Sequence, residues 1–246
     1  MRRRDPALLT RRHRTVGRIA AILEAAAADD GVRLSTLATM LDAPKSSIHG
    51  LLKGLVSVGY LAESGDGYSL GPAIQVLLGS GERPLLEEVA AGAMRGLRDQ
   101  FDETVLLGHR MGDSIVYLSA VESHHPVKYV ARLNTRRPVL PTSMGKIYLA
   151  ELGQDDLAAY LTERIQNTRR RKALTAQLAE VATTGVAVNR DESVPGLTGV
   201  AAGIRERDEL VACVSVAGPS DRLIPRLEQL TRAVKATADR VTAQLP

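Results

Sequence analysis

Tryptophan is absent from this 246-residue chain, phenylalanine occurs once, at Phe101, and aromatic residues make up only 3% of it. Proteins that hold single strands stack bases on aromatic faces, so this scarcity argues against a single-strand or RNA-binding role. It also means that any core is built from Leu, Val, Ile and Ala. Cysteine is almost missing: Cys213 alone excludes an intrachain disulfide framework, and in its apolar run it reads as a small core residue rather than a redox sensor. No apolar run approaches the roughly 20 residues that cross a bilayer. The amino end is too basic and too poor in apolar residues for a secretory signal. The expectation is a soluble, cytoplasmic protein with no membrane partner. Acids are scarce at that end too, where Asp5 stands alone against Arg2, Arg3, Arg4, Arg11, Arg12, Arg14 and Arg18.

What is present fits two ordinary domains. The hydrophobic fraction is 44%, mean hydropathy is −0.06 and the net charge is +4, so both halves can bury a core. The basic arm, residues 1–11, can lie along phosphates or enter a minor groove and release condensed counterions. A solvated tail is the alternative for Arg2 to Arg4. Arg14 and Thr15 are stronger DNA candidates, because Thr15 is placed to cap a helix over 16–28 whose first amides would face an anion.

Residues 34–70 are the most informative stretch. In LSTLATML, Leu37, Ala38 and Leu41 form an apolar stripe with Ser35 placed as the cap, and Pro44 suits the first turn of the next helix. In that second helix Ile48, Leu51, Leu52 and Leu55 fall at i, i+3, i+4 and i+7, leaving Lys45, Ser46, Ser47, His49, Gly50 and Lys53 for the other side. A turn of about three residues joins the two. After Gly59, Tyr60-Leu61 begins a strand, Gly65-Asp66-Gly67 allows a reversal, and Tyr68-Ser69-Leu70 returns. Two short helices followed by a hairpin make a winged helix-turn-helix, which points to double-stranded DNA.

Beyond the hairpin the pattern changes. A connecting helix is read at 74–78, a Gly/Ser/Pro break at 79–84, and an amphipathic helix over 85–101 with Leu85, Val89, Met94, Leu97 and Phe101 inward. Strand-like runs follow at 104–109, 114–121, 127–133, 185–189, 200–204 and 210–217, with helices at 143–152, 155–161, 174–183 and 223–245. Strands in two groups with helices between and after them indicate an α+β domain on a mostly antiparallel sheet.

PKSSIHGLL in the second helix, LPTSMGK at 140–146, and the run from GVAV at 185 through Asp191-Glu192 and Pro195-Gly196 to Val200-Ala201-Ala202 occur in order, followed by VSVAGP at 214–219. Together these resemble the IclR family of bacterial transcriptional regulators over residues 12–243. The resemblance implies a winged helix-turn-helix at 12–71, a linker helix and hinge at 72–84, and a GAF-like effector-binding domain at 85–246. It implies a dimer or dimer of dimers on an inverted-repeat operator, no cofactor, and an effector site at Tyr129, Ser143, Met144, Asn189, Glu192, Leu197, Cys213, Ser215 and Ala217. Two departures stand out. Gly50 occupies a place where members commonly carry Arg, so base reading falls to residues without a bidentate fork for guanine and leans on DNA shape. Met144 stands where many members have a small residue, which suggests a narrower, more apolar pocket.

The physics of the second domain suits a ligand. A helix starting at Ser143 offers free amides to a small carboxylate, and Ser215 can donate from its strand. The bland alternative is that Ser143 is a helix cap and Ser215 a satisfied core hydroxyl. Adjacent His124 and His125 point to different sides of an extended segment and lack companions for a metal. Ser143 has no G-x-S-x-G elbow, so an enzyme has no positive support. Residues 169–172 read as a solvated basic turn. The leading expectation is a ligand-responsive repressor of a catabolic operon. The alternatives are a small-molecule-binding or enzymatic module whose winged helix serves protein contact, and a DNA-binding protein whose second domain only oligomerises.

Overall fold

The computed structural model describes residues 13–28, 31–65, 67–74 and 86–245, which fall into two units, 13–74 and 86–245. The arm at 1–11, Leu85, most of the expected connecting helix and the Gly/Ser/Pro break lie outside the described residues. Among the described residues no helix is long and apolar enough to cross a membrane.

The first unit runs α1 (Arg14–Ala28), α2 (Leu34–Met40), α3 (Lys45–Ser57), β1 (Leu61–Ser64) and β2 (Gly67–Leu70). Its core gathers Ile22 from α1, Leu37 from α2, Ile48, Leu52 and Leu55 from α3, and Leu61 and Tyr68 from the hairpin. Each such side chain contributes roughly 1.5–3 kcal/mol by leaving water. The strands pair from Leu61↔Leu70 to Ser64↔Gly67, and Val32 exchanges backbone hydrogen bonds with Tyr68 at 3.1 and 2.9 Å. A Cβ at Gly67 would stand 2.6 Å from the Gly31 carbonyl carbon, so glycine permits this close approach of the hairpin.

The cap assignments need correction. Thr15 lies inside the first turn of α1, since Gly17 N–H reaches back to the His13 carbonyl at 3.0 Å. Arg33, in extended backbone, precedes α2 without a side-chain cap, and the Ser35 carbonyl instead accepts from Thr39 Oγ1 at 3.1 Å. Pro44 is the residue before α3 rather than its first residue, leaving four residues between the helices, with Asp42 at φ +43°.

The second unit runs α4 (Leu86–Phe101), β3 (Thr104–Met111), β4 (Ser114–Val121), β5 (Arg136–Pro138), α5 (Ser143–Ala150), α6 (Gln154–Arg164), α7 (Thr168–Thr184), β6 (Val186–Arg190), β7 (Leu197–Glu206), β8 (Glu209–Pro219), the single turn α8 (Ser220–Leu223), a 3-10 turn at Ile224–Arg226, and α9 (Leu227–Thr242). The strands form one sheet in the order β5-β4-β3-β8-β7-β6, every pair antiparallel. Alternation divides each strand between two cores. Val105, Leu107, Val200, Val214 and Val216 pack on one face with Met94, Leu97, Leu230 and Val234 of α4 and α9. Leu106, Tyr117, Ala201, Cys213 and Ala217 pack on the other with Met144, Ile147 and Leu149 of α5.

Three expectations change here. The segment 127–133 is no strand: Val127 and Val130 are 72% and 60% exposed, and its carbonyls turn to side chains, Tyr129 O accepting from Thr104 Oγ1 at 2.7 Å and Val127 O from Arg222 Nη2 at 3.0 Å. The edge place belongs to β5. The basic run 169–172 lies in α7 rather than in a turn, because Asn167 Oδ1 caps that helix through Arg170 N–H at 2.9 Å. Pro225 interrupts the closing helix with a 3-10 turn.

Candidate DNA-reading face and ligand site

On α3 the apolar stripe turns inward and leaves Lys45, Ser46, Ser47, His49, Gly50 and Lys53 exposed, as are Arg14 and Thr15 at the start of α1. A Cβ at Gly50 or Gly54 would meet nothing within 4 Å, so neither glycine is required by packing. Lys53 is not free: its Nζ lies 2.8 Å from Glu63 Oε2 on β1, whose other oxygen accepts from Tyr68 Oη at 3.2 Å. The hydrogen bond from Lys53, aided by that from Tyr68, holds the Glu63 carboxyl below the usual carboxylate range, and Glu63 raises Lys53 in turn. Glu63 thus belongs to this surface although the sequence did not single it out.

In the second unit, α5 lies over a carpet of small residues. Cys213, Ser215 and Ala217 share one side of β8, and in register Ala217 lies between Thr104 and Gly199 while Ser215 lies between Leu106 and Ala201. Asn189 stands opposite Gly199, and a Cβ on Gly199 would sit 3.3 Å from Ser143 Oγ. The helix is capped by Thr142, whose Oγ1 accepts from Gly145 N–H at 3.0 Å, so Ser143 is not the cap. A Cβ on Gly145 would strike the Val139 carbonyl, which makes glycine obligatory there. Ser143, Met144, Asn189, Ser215 and Ala217 are therefore brought to one face around the start of α5, while Leu197 shares only the strand face of Gly199, two residues along β7. Cys213, fully buried, lies beside Tyr148, and burial pushes both its thiol and the Tyr148 hydroxyl up.

Two expected ligand residues are already engaged. Glu192 pairs with Lys146, Nζ to Oε1 2.5 Å, and that ammonium, with no exposed side-chain surface, also donates to Val188 O at 2.8 Å. Burial pulls Lys146 below the ordinary lysine value, opposed by Glu192. Asn189 donates to Pro141 O at 2.7 Å and to Ser193 Oγ, and accepts from Glu192 N–H at 3.1 Å. Both side chains thus fasten the 191–196 loop to α5, the polar groups being satisfied inside the protein. A lysine in the apolar stretch MGKIYLA was the available signal for Lys146.

Tyr129 packs, partly buried, against the core that α5 covers, and burial first, with Tyr129 nearby, raises the Tyr117 hydroxyl above its ordinary value. The loop that carries Tyr129 is anchored by a pair the sequence did not disclose: Arg222 grips buried Glu103 through Nε–Oε1 at 2.5 Å and Nη2–Oε2 at 2.9 Å. His124 and His125 do not diverge; Nδ1 of the first and Nε2 of the second lie 3.1 and 3.5 Å from the two oxygens of Asp102.

Residues 15–65 match the IclR helix-turn-helix domain, and residues 82–243 match the C-terminal domain of bacterial IclR transcriptional regulators. The chain is 31% identical to the HTH-type transcriptional regulator TtgV of Pseudomonas putida over 190 residues, 74% of this chain and 73% of that protein. It is 30% identical to the regulator BhcR of Paracoccus denitrificans over 233 residues, 90% of this chain and 83% of that one. Among solved structures, an IclR homologue from Microbacterium hydrocarbonoxydans complexed with 4-hydroxybenzoate shares the fold at TM-score 0.72 and 23% identity, covering 94% of this chain and 98% of that one. With a reading helix and wing in one unit and a helix-covered sheet in the other, the chain belongs to the IclR family, a DNA-binding, HTH-type group of bacterial transcriptional regulators.

Proposed function

We propose that this regulator is a cytoplasmic repressor of a catabolic operon that binds an inverted-repeat operator as a dimer or dimer of dimers and answers to a small carboxylate at the start of α5. The observation that carries the reading is the pairing of an exposed polar face on α3, formed by Lys45, Ser46, Ser47 and His49, with a separate cluster in which Ser143 and Met144 open α5 over the face of β8 that carries Ser215 and Ala217. The helix start supplies amides and a positive dipole end for an anion, the serines add donors, and Met144 closes the apolar side. The neighbour holding 4-hydroxybenzoate lends support by sharing this fold. Effector binding would bias the geometry or assembly of the two heads, and with it operator affinity. Arg14, Thr15, Ser46, Ser47 and His49 are assigned to phosphates and base edges, with Glu192 and Asn189 as positioning residues of the ligand site.

Footprinting upstream of the protein's own and adjacent genes tests the reading. A protected inverted repeat is expected, released by the effector in the wild type but not in Ser143→Val or Ser215→Val. No protected repeat would sink the regulator-operator proposal; release unaffected by both substitutions would move the ligand elsewhere.

A further inference from the structure

Arg137 lies in β5 opposite Ile115, and Ile115 lies opposite Arg110 on β3. Residues paired in register share a face, and Ile115 belongs to the core that α5 covers. The Arg137 guanidinium sits 4.9 Å over the ring of Tyr117. That ring and Met144 pack together on Gly108: a Cβ there would come 3.1 Å from Tyr117 Cδ1 and 2.8 Å from Met144 Sδ. Arg137, Tyr117 and Met144 thus form one connected wall on the face that α5 covers, with Tyr129 packed against the same core.

The Arg137 side chain is half-buried, and one nitrogen of its guanidinium, Nε, is shielded and, among the described residues, has no hydrogen-bond partner. An unmade bond of this kind is costly, more so where the group is charged, and such an orphan in a folded protein calls for a partner. Arg222 shows the contrast within the same unit, its fork closed on both oxygens of Glu103. Stacking on an aromatic ring holds a guanidinium plane fixed, so its N–H edge is arranged in advance for a planar acceptor.

We propose that Arg137 is the anion-recognition residue of the effector site, and that the effector is an organic carboxylate which accepts from the Arg137 fork while its body lies against Tyr117, Tyr129 and Met144. The inference rests on the reading that the ligand site lies at the start of α5. Two parallel charge-assisted bonds would satisfy Nε and discriminate an acid from its uncharged analogue.

The full-length protein is titrated by calorimetry and thermal shift with benzoate, phenylacetate, pyruvate and succinate, each beside its primary amide. At least one acid is expected to stabilise the protein, its amide to bind at least tenfold more weakly, and Arg137→Met to lose at least tenfold in affinity for the acid, with Arg137→Lys recovering part. Should Arg137→Met melt early without ligand, Arg137→Gln is read in its place. Binding by none of the acids, equal binding of acid and amide, or an unchanged Kd in the Arg137 variants overturns the proposal. Ser215→Val distinguishes the two levels: an acid weakened by that change but not by Arg137→Met leaves the site in place and removes the role of Arg137. An acid indifferent to Ser143, Ser215 and Arg137 alike overturns the site as well.

Discussion

Lys45 and Lys53 are both exposed on α3, yet they do not offer DNA the same charge. Lys53 is held 2.8 Å from Glu63 on the wing, so a phosphate that takes it up must displace a carboxylate already present. Because Glu63 is held below its ordinary value of 4.5, the pair's contribution is present above that pH and is lost as pH falls through the lower folded value. Salt dependence separates the two lysines: each phosphate contact adds about 0.9 to the slope of log K against log salt. Lys45→Ala is expected to flatten the slope by about one, Lys53→Ala by less than half as much, and Glu63→Gln to steepen it by releasing Lys53. Anisotropy titrations across salt concentrations measure this, and equal slopes for the two lysine variants would reject the competition. Chemistry of this kind is faintly written in the sequence. Ser143 and Ser215 could be singled out because their motifs are local, whereas Lys146 finds Val188 and Glu192 across 42 and 46 positions and Arg222 finds Glu103 across 119.

At the scale of elements, α3 carries two glycines that no neighbour requires. A mid-helix glycine costs about 1 kcal/mol relative to alanine, and the Cβ of alanine at position 50 would enter open space. Gly50→Ala is therefore expected to raise the stability of the first unit by about 1 kcal/mol, seen as an increased melting temperature. It is also expected to weaken operator binding severalfold if the bare backbone of this exposed turn approaches DNA. A raised melting temperature with unchanged affinity would mean that the glycine is merely tolerated. The helices and strands themselves were readable wherever one period held: the expected strand 114–121 is β4 residue for residue, and the α3 stripe is the observed core contact. The reading failed at 127–133, where Val127, Tyr129, Val130 and Leu133 imitate a strand while the backbone is held by the Thr104 hydroxyl and the Arg222 guanidinium. It failed at caps for a related reason. Arg33 and Pro44 precede helices by backbone shape alone, with no side-chain bond to predict.

At the scale of the whole molecule, one chain carries one α3 without an arginine fork, and the proposed dimer would add specific affinity by joining two of them. In a two-fold dimer each α3 would occupy a major groove on the same side of the duplex, which sets half-site centres about 10 base pairs apart, or a multiple of that. Inserting 5 base pairs between half-sites turns the second groove to the far side, and inserting 10 returns it at greater distance. Gel-shift titration is expected to show at least a tenfold loss for the first insertion and partial recovery for the second. The effector then acts on a quantity the same assay reads: if ligand changes how the two heads are held, it should weaken binding to the native spacing more than to an isolated half-site. Equal affinity at every spacing would mean that the heads bind independently. The proposed coupling would then have no geometric lever, leaving the ligand to act through assembly alone.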